Sequence, residues 1–85
     1  MRTIVFETAG IEQYNWWAVH NKKTFVKIAK LILEASRTPF SGTGSPEALK
    51  HDLKGFWSRR INEEHRLVYK VTEKSIIIIS CKYHY

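Results

Sequence analysis

The spacing of apolar positions along this chain changes character twice. Residues 2–7, Arg-Thr-Ile-Val-Phe-Glu, read as a short β-branched strand, and Thr8 is placed to cap a following helix. Ile11, Tyr14 and Ala18 then recur at helical spacing, and of the adjacent Trp16 and Trp17 at least one must lie beside that stripe. Asn21 is a suitable cap for a second helix, in which Phe25, Ile28, Ala29, Ile32 and Ala35 form an inward stripe while Lys22, Lys23, Lys27, Lys30 and Glu34 face mainly outward. The two helices make a hairpin. Pro39 disfavours further helix, and residues 39–46 are dense enough in turn formers to read as a loop.

From Phe56 onward the period becomes two. Residues 56–61, 65–72 and 75–82 read as three strands joined by tight turns at 62–64 and 73–74. The order β-α-α-β-β-β predicts an α+β domain with two helices packed on one face of a small, largely antiparallel sheet. Pairing apolar with apolar puts Trp57, Ile61, Leu67, Tyr69, Val71, Ile77, Ile79 and Cys81 on the helix side. By alternation Ser58, Arg60, Arg66, Val68, Lys70, Ser80, Lys82 and, if the strand continues, His84 share the other side. Arg59 falls on the inward parity, which predicts a place at the sheet margin where its stem snorkels.

Composition narrows the function classes. Eighty-five residues with 44% apolar content fit one domain, 1–85, with a single core. No apolar run is longer than that of Ile76 to Ile79, far below the roughly 20 residues of a membrane helix. The N-terminal residues lack a secretory apolar stretch, so a cytoplasmic protein with no membrane partner is expected. The single cysteine excludes an internal disulfide and, by itself, a cysteine-rich zinc site. A net charge of +6 calls for an anionic partner, nucleic acid or acidic protein. Basic residues exceed acidic ones in both halves of the chain, so any basic patch is made by folding.

The open sheet face carries the candidate chemistry. Arg60, Arg66 and Lys82 could hold phosphate, although the same residues also suit a solvated strand face. In the segment 44–50, Ser45 is a candidate helix cap, Pro46 suits a first helical position, and Glu47 and Lys50 then lie on one side of a short turn. A plainer account has Glu47 complementing the helix dipole and pairing with Lys50. A rigid Glu, a cluster of Arg and Lys, and a His are together the parts of metal-free RNA cleavage. Glu takes the proton of the attacking 2′-hydroxyl, Arg holds the charge growing on the phosphoryl oxygens, and His protonates the departing 5′-oxygen.

Four histidines compete for the acid role. His20 lies at a helix end, His51 could be a second phosphate contact, and His65 sits beside a turn on the core-facing parity; for each a structural role is favoured. His84 shares the basic parity and stands between Tyr83 and Tyr85, whose rings could pack the terminus or stack on bases. No histidine pair has ligand spacing with a supporting Cys or Asp, so neither metal nor other cofactor is expected. Cys81 points inward and is no nucleophile candidate.

Several ordered motifs then converge. Arg37-Thr-Pro-Phe40, the Gly-x-Gly-x-Pro-Glu-x-Leu-Lys-His segment from Gly42 to His51, Gly55-Phe-Trp-Ser-Arg-Arg-Ile61, Glu63-Glu-His-Arg-Leu-Val-Tyr69 and the final Cys-x-Tyr-His-Tyr closely resemble YoeB-type toxins of the RelE/ParE superfamily. The resemblance covers 37–85 almost without gaps, and the preceding strand and helices agree in length and order. It implies a bacterial endoribonuclease that enters the ribosomal A site and cuts translated mRNA. Carried onto matching positions, Glu47 resembles the general base, Arg66 the transition-state phosphate ligand and His84 the general acid. Lys50 and Arg60 would assist at the phosphate, Lys82 would contact RNA, and Tyr85 would help position it. Partners so implied are mRNA and the ribosome, a YefM-like antitoxin with a disordered acidic segment, a second toxin copy, and a toxin–antitoxin complex on operator DNA. Two positions depart from the family pattern: Ser45 stands where a basic residue is common, and Lys82 where the ending commonly has arginine. Lys82 keeps the charge and loses the bidentate fork.

Two other readings use the same fold class. A ParE-like toxin would poison a topoisomerase without cutting RNA and would not need Glu47, Arg66 and His84 together. An RNA- or ribosome-binding module would keep its cellular effect after loss of His84.

Overall fold

The computed structural model describes residues 1–83; His84 and Tyr85 lie outside the described residues. In chain order the elements are β1 (Thr3–Phe6), α1 (Thr8–His20), α2 (Lys22–Arg37), β2 (Glu47–Ala48), a 3₁₀ turn (His51–Leu53), β3 (Phe56–Arg60), β4 (Arg66–Val71) and β5 (Ser75–Ser80). The strands form one sheet in the order β1-β5-β4-β3-β2, parallel between β1 and β5 and antiparallel elsewhere. Both helices pack on one face, and Trp17, Ile28, Leu31, Ile32 and Ala35 meet Ile61, Leu67, Tyr69, Ile76, Ile78 and Cys81 there. The expected α+β class and helical hairpin are what the chain adopts.

α2 follows its pattern closely. The Asn21 side chain accepts the Thr24 amide at 3.1 Å, so the helix starts where the cap was expected. Phe25, Ile28, Ala29, Ile32 and Ala35 turn inward and the four lysines outward. In α1 the expected stripe is displaced. Ile11 and Ala18 are exposed, while Gly10 and Trp17 are buried with Gln13 and Tyr14 half-buried. The reason is the close approach of α1 to β5. A Cβ on Gly10 would stand 2.5 Å from the carbonyl oxygen of Ile78, so only glycine fits.

Gly10→Ala is therefore expected to destabilise the fold. Alanine gains about 1 kcal/mol of helix propensity over glycine. The clash is with backbone, and overpacking of that kind costs roughly 1–3 kcal/mol. A urea titration should show a lower midpoint at unchanged slope.

The β5 register corrects the sequence expectation. Ile76 and Ile78, not Ile77 and Ile79, enter the core. Four consecutive isoleucines give an apolar inward row on either parity, so their hydrophobicity cannot choose between them. The choice is made by β1, which pairs Ile4 with Ile76 and Phe6 with Ile78. Tyr69 then pairs with Ile78 and Val68 with Ser80, leaving Ile79 as an extra residue in a bulge. The bulge reverses the parity, and Cys81 still turns inward.

The chain between Pro39 and Phe56 also differs from expectation. Glu47 and Ala48 form a strand at the sheet edge, not the start of a helical turn. Gly44 and Ser45 take positive φ values of 87° and 51°, and the Gly44 carbonyl accepts the Arg60 amide at 2.7 Å. These contacts lay the chain alongside β3, and Ser45 caps nothing.

Arg59 does not snorkel. It is fully buried, and all five of its N–H donors are used. Nε donates to the Tyr69 hydroxyl at 3.0 Å, Nη1 to the Glu34 carboxylate and the Thr43 carbonyl, and Nη2 to the Thr38 and Ser41 carbonyls at 2.6 and 2.9 Å. The Tyr69 hydroxyl in turn donates to the Pro39 carbonyl at 2.7 Å. Glu34, expected on the outer face of α2, turns to this cluster. The hydroxyl and amide of Thr43, and then Arg59, hold its carboxyl below the usual glutamate range.

Candidate functional site

Cross-strand pairing decides which side chains share the face opposite the helices. Glu47 pairs with Ser58, Ser58 with Val68 and Val68 with Ser80, so these four form one row across β2, β3, β4 and β5. The adjacent row is a direct pair of arginines, Arg60 opposite Arg66. Like charges directly opposite each other destabilise a sheet, so this pair is suited to an anion lying over it. Arg60 is exposed and Arg66 half-buried. Arg66 turns Nη1 onto the carbonyls of Asn62 at 2.6 Å and His65 at 3.0 Å, which fixes its guanidinium beside the β3–β4 turn.

Glu47 is exposed at the edge of this face. With strands about 4.8 Å apart, the backbones of β2 and β4 are roughly 10 Å apart, a gap that arginine side chains and a phosphate together can fill. Lys50 and His51 line the same hollow of about 380 Å³ as Glu47, with Ala48, Leu49 and Leu53. The structure thus groups Glu47, Lys50 and His51 at one edge and Arg60 and Arg66 in the middle. A larger groove of about 770 Å³, lined by the four lysines of α2 with Thr24, Val26, Ile61 and Asn62, holds neither carboxylate nor imidazole.

Beyond Ser80 the chain leaves the sheet, so the expected strand to Lys82 is shorter than its pattern suggested. Gln13 Oε1 accepts the Cys81 amide at 2.7 Å, and Trp17 Nε1 donates to the Cys81 carbonyl at 2.9 Å. Lys82 stands over the Trp16 ring, 3.5 Å from its centroid, and so belongs to the α1 side of the tail and not to the arginine row. Tyr83 has φ of 64°. Its amide donates to His65 Nδ1 at 2.7 Å, and its carbonyl accepts the Arg66 amide at 3.0 Å. The expectations for His84 and Tyr85 fall on residues outside those described, but Tyr83, the residue before them, is fastened beside Arg66.

The other candidates keep structural places. His20 is exposed and stacks on Trp16. His65 is 7% exposed, with the Trp17 ring edge-on at a centroid distance of 4.9 Å. Burial pushes the Cys81 thiol up to about 12, so it carries no thiolate to attack with near neutrality. Sequence reasoning missed two contacts around the site, the Arg59 cluster and the bond from Tyr83 to His65. The available signal was a buried-parity Arg and a buried-parity His, each of which needs partners.

The profile of "YoeB-like toxin of bacterial type II toxin-antitoxin system" matches residues 6–85. Toxin YoeB of Escherichia coli (strain K12) is 50% identical over 82 residues, covering 96% of this chain and 98% of that protein. This chain belongs to the YoeB-like toxins. Two solved YoeB structures from Staphylococcus aureus agree with the fold of this YoeB-like toxin. A YoeB dimer superposes with a TM-score of 0.90 at 45% identity, covering 99% of this chain and 98% of that one. A YoeB–YefM complex gives a TM-score of 0.88 at 45% identity, covering 100% and 99%. The family resemblance read from the motifs is thereby borne out, as is the toxin–antitoxin class.

Proposed function

We propose that this YoeB-like toxin is an endoribonuclease that cuts translated mRNA in the ribosomal A site and so inhibits translation. The observation that supports it is the order of groups across the open face. A carboxylate on β2 comes first, then the arginine pair on β3 and β4, then Tyr83 leading into His84. A phosphate over the arginines has a proton acceptor on one flank and the tether of a proton donor on the other, as an in-line displacement requires. Glu47 accepts the proton of the 2′-hydroxyl as O2′ bonds to phosphorus. Arg66, assisted by Arg60 and Lys50, holds the charge on the phosphoryl oxygens, and His84 gives its proton to O5′ as the P–O5′ bond breaks. No metal ion is needed for this sequence of transfers. Lys82 with Trp16, and Tyr85, contact the RNA.

The products of that step are a 2′,3′-cyclic phosphate and a 5′-hydroxyl. Primer extension on a message translated with the purified toxin should show new stops. The downstream fragments should accept phosphate from polynucleotide kinase without prior dephosphorylation. Fragments bearing 5′-phosphate, or absence of stops, would rule the mechanism out; toxicity with intact message and inhibited topoisomerase would point to the ParE-like reading. The toxin acts in the bacterial cytoplasm, and its inhibitor is a YefM-like antitoxin whose acidic segment meets the basic face. A second toxin copy and an operator-bound toxin–antitoxin complex complete its partners, in keeping with the dimer and the YefM complex solved for the relatives.

A further inference from the structure

His65 is buried, and its ring does more than fill space. Nδ1 accepts the Tyr83 amide at 2.7 Å, so in the neutral ring the proton sits on Nε2. The next residue in sequence, Arg66, donates its own amide to the Tyr83 carbonyl at 3.0 Å. Both backbone polar groups of Tyr83 are therefore held by a consecutive pair, one of which carries the phosphate-binding guanidinium. The ring itself is fixed by its surroundings. Trp17 of α1 stands edge-on to it, the Tyr83 ring lies 5.7 Å away, and the Asn62 side chain accepts the His65 amide at 2.8 Å. Tyr83 adopts a left-handed φ of 64°, a conformation that a non-glycine residue keeps only when its neighbours hold it there.

We propose that His65 is a positioning residue, whose Nδ1 fixes the backbone of Tyr83 beside Arg66 and with it the point from which the chain continues to His84. This rests on the reading of His84 as the general acid. A group displaced by about 1 Å can lose about 10²-fold in rate, so one hydrogen bond at the root of a catalytic tail is enough to matter. The clip also has a chemical weakness. A second ring proton turns Nδ1 from acceptor to donor and sets it against the Tyr83 N–H. The charged and titratable groups facing the ring among the described residues are the Glu64 carboxylate, 3.8 Å from Nε2, the Tyr83 phenol, and Arg66, whose Nη1 bonds the His65 carbonyl; α1 presents only the uncharged Trp17.

The test combines amide exchange with kinetics. His65→Phe keeps a ring against Trp17 and removes the acceptor; His65→Asn places Oδ1 near the position of Nδ1 and does not titrate. The Phe variant should lose protection at the Tyr83 amide and about 10²-fold in kcat, with KM for programmed ribosomes unchanged, and the Asn variant should recover most of both. Wild type should lose Tyr83 protection on acidification and the Asn variant should not. Wild-type toxin that makes no breaks overturns the cleavage reading and this inference with it. Wild-type toxin that cuts, with a Phe variant whose Tyr83 amide stays protected or whose kcat is unchanged, overturns the inference alone. Should the Phe variant fail to fold, the acid response of wild type against the Asn variant decides: equal loss of protection in both overturns it.

Discussion

Ribosomes programmed with a translated message should bind the Glu47→Ala toxin at least as tightly as wild type while showing roughly 10²- to 10⁴-fold slower cutting. Glu47 is exposed, in a two-residue edge strand, and among the described residues it takes part in no side-chain hydrogen bond or ion pair. Its removal should therefore change stability by no more than about 0.5 kcal/mol. It is also a negative charge beside the arginine pair proposed to hold phosphate, so its loss should raise RNA affinity if it changes it at all. A slower cut cannot then be put down to weaker binding or unfolding. Glu47→Gln separates the alternatives further, because it keeps the shape and removes the proton acceptor, and it should fall as far as alanine. Quantified primer-extension stops alongside ribosome pelleting give both numbers. Undiminished cutting by either variant would sink the assignment of Glu47 as base.

Replacing Arg59 with leucine should cost about 3 kcal/mol of folding stability, at the lower end of what is lost when one partner of a buried ion pair is removed. The lower end applies because Glu34 keeps 35% of its side chain exposed and is screened there by water. The Glu34 carboxylate and the carbonyls of Thr38, Ser41 and Thr43 lose their guanidinium donors, and the Tyr69 hydroxyl loses one of its two partners, keeping its bond to the Pro39 carbonyl. For a domain of this size that loss lowers Tm by roughly 10–25 °C, readable in a thermal melt. Because the same loop runs on to Glu47, cutting should fall together with the melt. Acid should act on the same cluster from the other side. Glu34 has its folded-state pKa lowered, so its contribution is complete above the ordinary glutamate pKa and fades as pH falls through the lowered value. A urea midpoint followed against pH should drop in that window for wild type and be flatter for Glu34→Gln. Equal slopes would remove Glu34 from the account.

The parts of the fold that the chain announces are those with one consistent period. The inward stripe of α2 admits a single burial pattern, and pairing apolar with apolar sets the sides of β3 and β4, although Ser58 and Val68 on the opposite face are buried too; the helical hairpin and meander followed. Where two patterns bury equally well, the amino acids are silent. Ile76 to Ile79 are the clearest instance, since β1, more than sixty residues away, and a bulge select the parity. β2 is too short for any alternation to be visible, and it exists because Gly44 and Ser45 bend the chain onto β3. Arg59 was placed on the correct face but without its partners, which are mostly backbone carbonyls of a loop and leave no mark on residue type. For the candidate site, residue chemistry suggested Glu, Arg and His, and the motifs singled out Glu47, Arg66 and His84. The sheet pairing that sets Glu47 beside Ser58, and Arg60 against Arg66, comes only from the folded chain.

The position of β5 between β1 and β4 has a consequence for synthesis. β1 is made before the other described strands, yet among the described residues it pairs only with β5, Thr3 with Ser75. Contacts that distant in sequence form late and slowly. A nascent chain stalled before β5 has no bed for α1, no Cys81 to receive Trp17 and no Tyr83 to dock at His65. Among the described residues, the sheet that carries Glu47, Arg60 and Arg66 is thus completed only once β5 is free to pair with both β1 and β4.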